Sequence, residues 1–212
     1  QAVVTFSVDD GMVPHIGTAL LTDVPCGAGY ECITARDELH TLRSTAVLGT
    51  TGTEPVQYTA DFTGNRDTGG HWLTGGNLND DFWIDILDFG VFSSQFATVV
   101  GANTTCSTPY PHADINGDGV VNTGDFNFIQ INFLDGNEPN CCGQPAKFGG
   151  EPITRISVFE LDELGMSELS AGDLNNDGWL DQDDIIAFIQ GARPKHVLEP
   201  AEAETVGDNG VN

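Results

Sequence analysis

The chain has 212 residues, and 39% of them are hydrophobic, a share typical of globular proteins and not of disordered ones. Its 32 Asp and Glu residues against 7 Lys and Arg give a formal net charge of −25, which argues against nucleic acid and anionic membranes as partners. Because this charge also destabilises a compact chain unless cations lie among the carboxylates, cation-binding sites are the first function to look for.

The sequence contains no apolar run near the roughly 20 residues that span a bilayer, so we expect no membrane insertion. The first residue is Gln1 and not Met. We expect that a signal peptide has been removed before this residue, which predicts a secreted protein that is extracellular or at the cell surface.

Residues 1–75 contain several short runs that are typical of β-strands and are separated by Gly, Pro and Asp turns. A small β-sandwich is therefore predicted for this region. The runs are Val3–Val8, Thr18–Leu21, Tyr30–Ala35, His40–Arg43 and Gln57–Phe62.

The five cysteines indicate an oxidising compartment, because no Cys-x-x-Cys or Cys/His spacing favours zinc. Cys26 and Cys32 bracket a short turn, a spacing that suits a disulfide across a hairpin. Cys106 is predicted to pair with Cys141 or Cys142, which leaves one cysteine over.

After residue 75 an internal repeat appears, with copies that begin at Asn77, Asp114 and Asp173. Each copy places Asp or Asn at positions 1, 3, 5 and 9 of a twelve-residue loop, and Asp at position 12. Calcium takes 6 to 8 oxygens, and a loop of this length can supply them from positions 1, 3, 5, 7, 9 and 12, with a backbone carbonyl at position 7. The pattern predicts three calcium ions, one in each loop.

Ten of the 32 acidic residues lie at ligand positions of these loops, where without a cation they would repel one another. We call the copies loop 1, loop 2 and loop 3. The candidate ligands are Asn77, Asn79, Asp81, Trp83, Asp85 and Asp88 in loop 1, Asp114, Asn116, Asp118, Val120, Asn122 and Asp125 in loop 2, and Asp173, Asn175, Asp177, Trp179, Asp181 and Asp184 in loop 3.

Position 6 of such a loop turns sharply, and it is Gly119 in loop 2 and Gly178 in loop 3. Loop 1 has Phe82 there, a residue poorly suited to φ > 0, so we expect loop 1 to bind calcium most weakly. Position 8 is apolar in all three copies and is predicted to fix each loop to the core.

An apolar segment follows each loop and is predicted to be helical, although Gly90 weakens the first segment. A further helix is predicted to begin at Ser157, where Ser157 and Glu160 form a capping box, and to end at Gly165. The three predicted helical segments are Phe89–Phe96, Phe126–Leu134 and Ile185–Ile189.

A duplicated calcium loop followed by one helix, with Asp at position 12, resembles the type I dockerin repeat, an EF-hand-like module. Dockerin-like modules that follow a small β-sandwich are known in bacterial extracellular proteins. The resemblance implies a secreted protein and, for a true dockerin, a cohesin-like partner. The 37-residue spacing of the first two loops and the presence of a third loop depart from the dockerin pattern.

Together these features predict an α+β, multi-domain chain. Its expected parts are a β-sandwich over residues 1–75, a dockerin-like calcium-binding pair over 76–145, a third calcium loop with flanking helices over 146–195, and an acidic C-terminal tail over 196–212.

The sequence shows no catalytic motif, so we expect a non-enzymatic structural or assembly protein that forms a homo-oligomer or polymer, such as a filament. Two alternatives are an anchoring module that binds a cohesin-like receptor and a non-catalytic fragment of a secreted hydrolase. For assembly, the candidate contacts are strand exchange by the alternating segment Val3–Val8 or by the tail Val197–Asn212.

Overall fold

The structure is a computed structural model that describes residues 5–6, 17–18, 29–37, 40–51, 57–99, 113–139 and 150–195. Within these residues the fold is α+β, with small two-stranded sheets and short helices. The terminal segments predicted for strand exchange lie outside the described residues, apart from the backbone of Thr5–Phe6.

The strands pair two by two, and all four pairs are antiparallel. The register of β3 with β4 runs from Cys32 opposite Val47 to Ala35 opposite Ser44. The strands are β1 (Thr5–Phe6) with β2 (Gly17–Thr18), β3 (Cys32–Ala35) with β4 (Ser44–Val47), β5 (Gly49–Thr51) with β6 (Gln57–Thr59), and β7 (Arg155–Ser157) with β8 (Trp179–Asp181).

Three of the four α-helices in the described residues follow the predicted calcium loops, and the fourth is the predicted helix after Ser157. The three helices that follow the loops begin about three residues earlier than the apolar segments indicate. The reason is that the residue at loop position 9 is the N-cap, and position 12 is already in the first turn. The helices are α1 (Ile86–Gln95), α2 (Thr123–Ile131), α3 (Val158–Glu163) and α4 (Gln182–Ile189), with 3-10 helices at Arg66–Thr68 and Ser167–Gly172.

The predicted α3 is confirmed at both ends. Ser157 and Glu160 form the capping box, and Gly165 adopts a left-handed conformation with φ of 74° just after the helix.

The first two loop–helix units are joined by equivalent hydrogen bonds. In loop 1, Ile84 at position 8 accepts from Leu134 N (2.7 Å) and donates to Asp135 O (2.9 Å). In loop 2, Val121 accepts from Ala97 N (2.8 Å) and donates to Thr98 O (3.0 Å). Each loop is thus bound by the segment that follows the helix of the other unit.

The same 37-residue shift relates the loops and their binding segments. Asn77 corresponds to Asp114, and Ala97 to Leu134. Ala97 and Leu134 are both left-handed, with φ of 63° and 70°. Since two non-Gly residues rarely share this conformation by accident, the equivalence extends to the backbone after each helix.

The buried apolar side chains of the described residues form one core cluster, and α1 lies at its centre, buried from Ile86 to Ser93. Aromatic rings from α1, α2 and α4 contact one another there, and the rings of Phe126 and Phe188 are 4.7 Å apart between centroids. The cluster contains residues from all three loop–helix units and reaches Leu42 in the N-terminal part. The predicted domain boundaries stay predictions.

Gly90 has a packing role in α1 that outweighs its low helix propensity. A Cβ atom at this position would lie 3.0 Å from Leu169 Cβ and 3.0 Å from Leu180 Cδ2. A Cβ atom added to Gly172 would lie 3.5 Å from Gly90 Cα. The absence of a side chain therefore allows the third unit to approach α1 closely.

Candidate metal centre

The three loops share one local hydrogen-bond scaffold. The side-chain oxygen at position 3 accepts from the amide of position 5, and the carboxylate at position 5 accepts from the amide of position 7. In loop 2 these contacts are Asp118 N to Asn116 Oδ1 at 2.8 Å and Val120 N to Asp118 Oδ1 at 3.0 Å. Such turns fold the short side chains back onto their own backbone.

The Asp at position 12 ties both ends of each loop together. In loop 1, Asp88 Oδ2 accepts from Asp85 N (2.7 Å), and Asp88 Oδ1 accepts from Leu78 N (2.6 Å) and Asn79 N (3.2 Å). Asp125 and Asp184 accept equivalent bonds in loops 2 and 3. A buried carboxylate at this point therefore defines the same loop shape three times.

Position 4 is left-handed in every loop, at Asp80 (φ 59°), Gly117 (72°) and Asn176 (61°). Position 6 is left-handed at Gly119 (91°) and Gly178 (87°), whereas Phe82 is not among the described residues with positive φ. Loop 1 thus avoids the conformation that the sequence pattern assigned to Phe82, and no backbone strain arises at that residue.

Position 1 carries a buried oxygen with no hydrogen-bond partner in loops 1 and 2. Asn77 is 2% exposed and Asp114 is 1% exposed, and Oδ1 of each is unpartnered. The rest of each side chain is bound inside its own loop, since Asn77 Nδ2 donates to Asp81 O (3.0 Å) and Asp114 Oδ2 accepts from Gly119 N (2.9 Å). Burying an acceptor without a partner is costly, so both oxygens call for a ligand within the loop.

Loop 3 differs at position 1, because both oxygens of Asp173 accept backbone hydrogen bonds. The donors are Asp177 N (3.2 Å) and Gly178 N (3.1 Å). Loop 3 also carries four carboxylates at ligand positions, against three in each of the other loops.

Burial raises the pKa of three carboxylates near the starts of α1 and α4. The pKa of Asp88 lies well above its usual value, and the pKa values of Asp85 and Asp184 are also raised, in each case chiefly through desolvation. By contrast, hydrogen bonds from Val120 N and the Asn116 side chain lower the pKa of exposed Asp118. A bound cation would offset the free-energy cost of ionising these buried carboxylates.

In the described part of the chain, no group of three or more His, Cys, Asp or Glu side chains is arranged to hold a metal ion. The loops combine carboxylates with Asn oxygens and backbone carbonyls, and the carboxylates are directed to backbone amides. The acidic side chains alone therefore form no preassembled cage, and calcium binding would draw on the mixed oxygen set that the loop spacing predicts.

Long-range contacts to the loops escape sequence analysis. Ile153 N donates to Asp85 Oδ2 (2.7 Å), and Arg155 Nε lies 3.3 Å from Asp181 Oδ2 with its guanidinium 3.9 Å from the centre of the Trp179 ring. Nothing in the local spacing of Arg155 indicates these partners, because β7 and β8 bring them together.

Cys32 forms a disulfide bond. Cys26, its predicted partner, and the other three cysteines lie outside the described residues, so the pairing itself stays a prediction.

Comparison of the chain with models of protein families, with curated proteins and with solved structures gave no match. Among the described helices, none has the length and apolar character needed to cross a membrane.

Proposed function

We propose that the protein is a secreted, non-enzymatic calcium-binding protein with a structural or assembly role, and that each of the three loops holds one calcium ion. The observation that carries this proposal is the pair of unpartnered, buried oxygens at position 1, Asn77 Oδ1 and Asp114 Oδ1. Both lie inside loops with the same scaffold, at the position where the spacing predicts the first ligand.

The proposal includes loop 3 because this loop has the same hydrogen-bond scaffold and carries four carboxylates at ligand positions. Asn175, Asp177 and Asp184 make the same hydrogen bonds as their equivalents in loops 1 and 2. A dockerin-like arrangement of the loops and a β-sandwich over residues 1–75 are parts of the same proposal.

The experiment that tests calcium binding is a count of bound ions after dialysis against calcium. We expect three ions per chain, and one fewer in each of Asp118→Ala and Asp177→Ala. Val47→Ala, which changes a strand residue that is 75% exposed, serves as the control with three ions. A wild-type protein that retains no calcium would overturn the proposal.

Assembly is supported by large apolar side chains exposed on three helices of a strongly acidic protein. Ile131 on α2 is 78% exposed, Phe159 on α3 is 69% exposed, and Ile189 on α4 is 55% exposed. Because three bound calcium ions would leave a strong negative charge, subunit contacts must be specific. Sedimentation and electron microscopy with and without calcium test this, and a monomer at all concentrations contradicts self-assembly.

The second candidate function is an anchoring module for a cohesin-like receptor. The equivalent hydrogen bonds of the first two units favour it, because a duplicated loop–helix pair is the unit that the resemblance implies. Saturable binding of the monomer to a cohesin domain would select this alternative.

A further inference from the structure

Loop 1 is enclosed by other parts of the chain, whereas loops 2 and 3 face solvent. The residues at positions 3, 5 and 7 are half-buried in loop 1, at Asn79, Asp81 and Trp83. The residues at the same positions of loops 2 and 3 are all exposed. Since the local scaffold is shared, the difference comes from the segments that surround each loop.

The first covering segment lies in the N-terminal part and comprises the described residues 36–37 and 40–43. Arg36 forms an ion pair with Asp80, the left-handed residue at position 4 of loop 1. His40 O accepts from both Gly76 N (2.8 Å) and Asn77 N (3.0 Å), so this segment is bound to the start of the loop.

The second covering segment follows α2, and Asn137 is its central residue. Asn137 N donates to Phe82 O (2.9 Å), and Asn137 Nδ2 lies 3.4 Å from Asp81 O. On its other side, Asn137 Oδ1 accepts from Arg43 N. One side chain thus connects loop 1 to the first covering segment, and the residue 37 positions earlier, Val100, has no hydrogen-bonding side chain.

The third covering segment precedes β7, at residues 150–153. Trp83 Nε1 donates to Gly150 O (3.2 Å), and Ile153 N donates to the Asp85 carboxylate. Ile86 N in turn donates to Ile153 O (3.1 Å), which fixes this segment at the start of α1.

We propose that loop 1 is an enclosed, slowly exchanging calcium site, closed by residues 36–37 with 40–43, by residues 136–138 and by residues 150–153, and that its ion holds these three segments on the helical core. This inference rests on the proposed calcium binding. Asn77 Oδ1, buried and unpartnered, supplies the ligand that this enclosed ion requires. Release of the ion needs at least one covering segment to separate, whereas loop 3 can release its ion directly to solvent.

Tb³⁺ luminescence can follow two of the loops separately. Tb³⁺ shares the oxygen preference of calcium, and a Trp at position 7 sensitises its emission. Loop 1 carries Trp83 and loop 3 carries Trp179, whereas loop 2 has Val120 there. Position 7 binds through its backbone carbonyl, so Trp83→Phe and Trp179→Phe assign the signals without removing a ligand.

The measurement is the decay of Tb³⁺ emission after rapid mixing of the loaded protein with excess chelator. We expect two phases, with the Trp83 phase slower than the Trp179 phase by about tenfold or more, equivalent to roughly 1.4 kcal/mol in the barrier. Asn137→Ala should accelerate the Trp83 phase roughly fivefold, the factor equivalent to about one hydrogen bond. The Trp179 phase should not change.

Matched variants keep the test specific. If Asn137→Ala does not fold, Arg36→Gln replaces it. This variant removes the ion pair between the first covering segment and Asp80, so it should also accelerate the Trp83 phase. Arg155→Gln is the control, because it removes an exposed arginine paired with a loop 3 carboxylate and should leave the Trp83 phase unchanged. Hydrogen exchange of residues 40–48 should rise when the slow phase is complete and not before.

Equal decay rates for the two tryptophan signals, with three ions bound, would overturn the enclosed site and leave calcium binding intact. The enclosed site is also overturned if Asn137→Ala and Arg36→Gln both fold and release Tb³⁺ at the wild-type rate. Failure of the protein to bind calcium or Tb³⁺ at all would overturn both this inference and the proposed function.

Discussion

The paired units and the third unit have the same loop but different surroundings. In the pair, the apolar residue at position 8 is bound by the segment that follows the partner helix. In the third unit, Leu180 at position 8 lies opposite Ile156 in the β7–β8 ladder. All three position 8 residues, Ile84, Val121 and Leu180, are completely buried. The twelve residues therefore determine the conformation of the loop, and the backbone groups at position 8 can pair with different extended segments.

The two regions also meet differently in the core. The aromatic rings of α1, α2 and α4 form one cluster, so the third unit is packed as closely as the pair. The contact of the third unit with α1 depends on the close approach of Gly90 and Gly172. The position 8 hydrogen bonds are specific to the pair, whereas the third unit contacts α1 through close packing at Gly90 and Gly172 and through hydrogen bonds from residues 150–153.

The largest expected effect is that of calcium removal on both regions. A ligand present at 100 times its Kd adds about 2.7 kcal/mol per site to the free energy of unfolding of the protein. For a chain of this size, each kcal/mol shifts Tm by roughly 2–4 °C. We expect chelation to lower Tm by about 10 °C or more, measured by calorimetry. An unchanged melting curve in excess chelator contradicts calcium binding at all three loops.

The second prediction uses pH to compare loop 1 with its bound ion and without it. Burial raises the pKa of Asp88 in the calcium-free fold, so the folded state binds more protons than the unfolded state. Stability from this group is fully present below its unfolded pKa and is lost as pH rises through the raised folded pKa. Calcium-free protein should therefore become more stable as pH falls through the raised pKa of Asp88 towards the ordinary aspartate pKa of about 4, measured by denaturant midpoints.

The calcium-loaded protein should show the opposite trend, because protons compete with calcium for the same carboxylates. Asp88→Asn is the matched control, since it removes the titration and should flatten part of the calcium-free profile. Stability of the calcium-free protein that falls steadily on acidification would contradict the assigned direction of the Asp88 pKa.

The third prediction tests the close packing of the third unit. Gly90→Ala gains about 1 kcal/mol of helix propensity. It also places a Cβ atom 3.0 Å from Leu169 and Leu180, and overpacking of this kind typically costs about 1–3 kcal/mol. We expect net destabilisation in urea unfolding. Ser94→Ala, in the same helix but only half-buried, is the control and should change stability little.

Sequence reasoning predicts local structure better than long-range contacts. The loops, the presence of a helix after each loop and the Ser157 capping box follow from residues within one short segment of the chain, so their spacing is visible in the sequence. The cover of loop 1 is not, because Arg36 and Asn137 lie far along the chain from their partners. From the sequence, Gly90 only weakens a helix, because the local pattern contains no sign of Leu180.

The smallest expected effect concerns α3, the short helix that belongs to the third unit alone. Ser157 Oγ accepts from Glu160 N (3.1 Å) and is 2.7 Å from Glu160 Oε2, and hydrogen bonds from Ser157 lower the pKa of Glu160. Ser157→Ala removes an N-cap, which costs about 1 kcal/mol. Because β7 ends at Ser157, fraying of α3 should increase hydrogen exchange in β7 and β8 and leave the Ile84 and Val121 amides unchanged. Ser157→Thr, which keeps the hydroxyl cap, should restore protection, and increased exchange at Ile84 or Val121 would show that the pair depends on β7 as well.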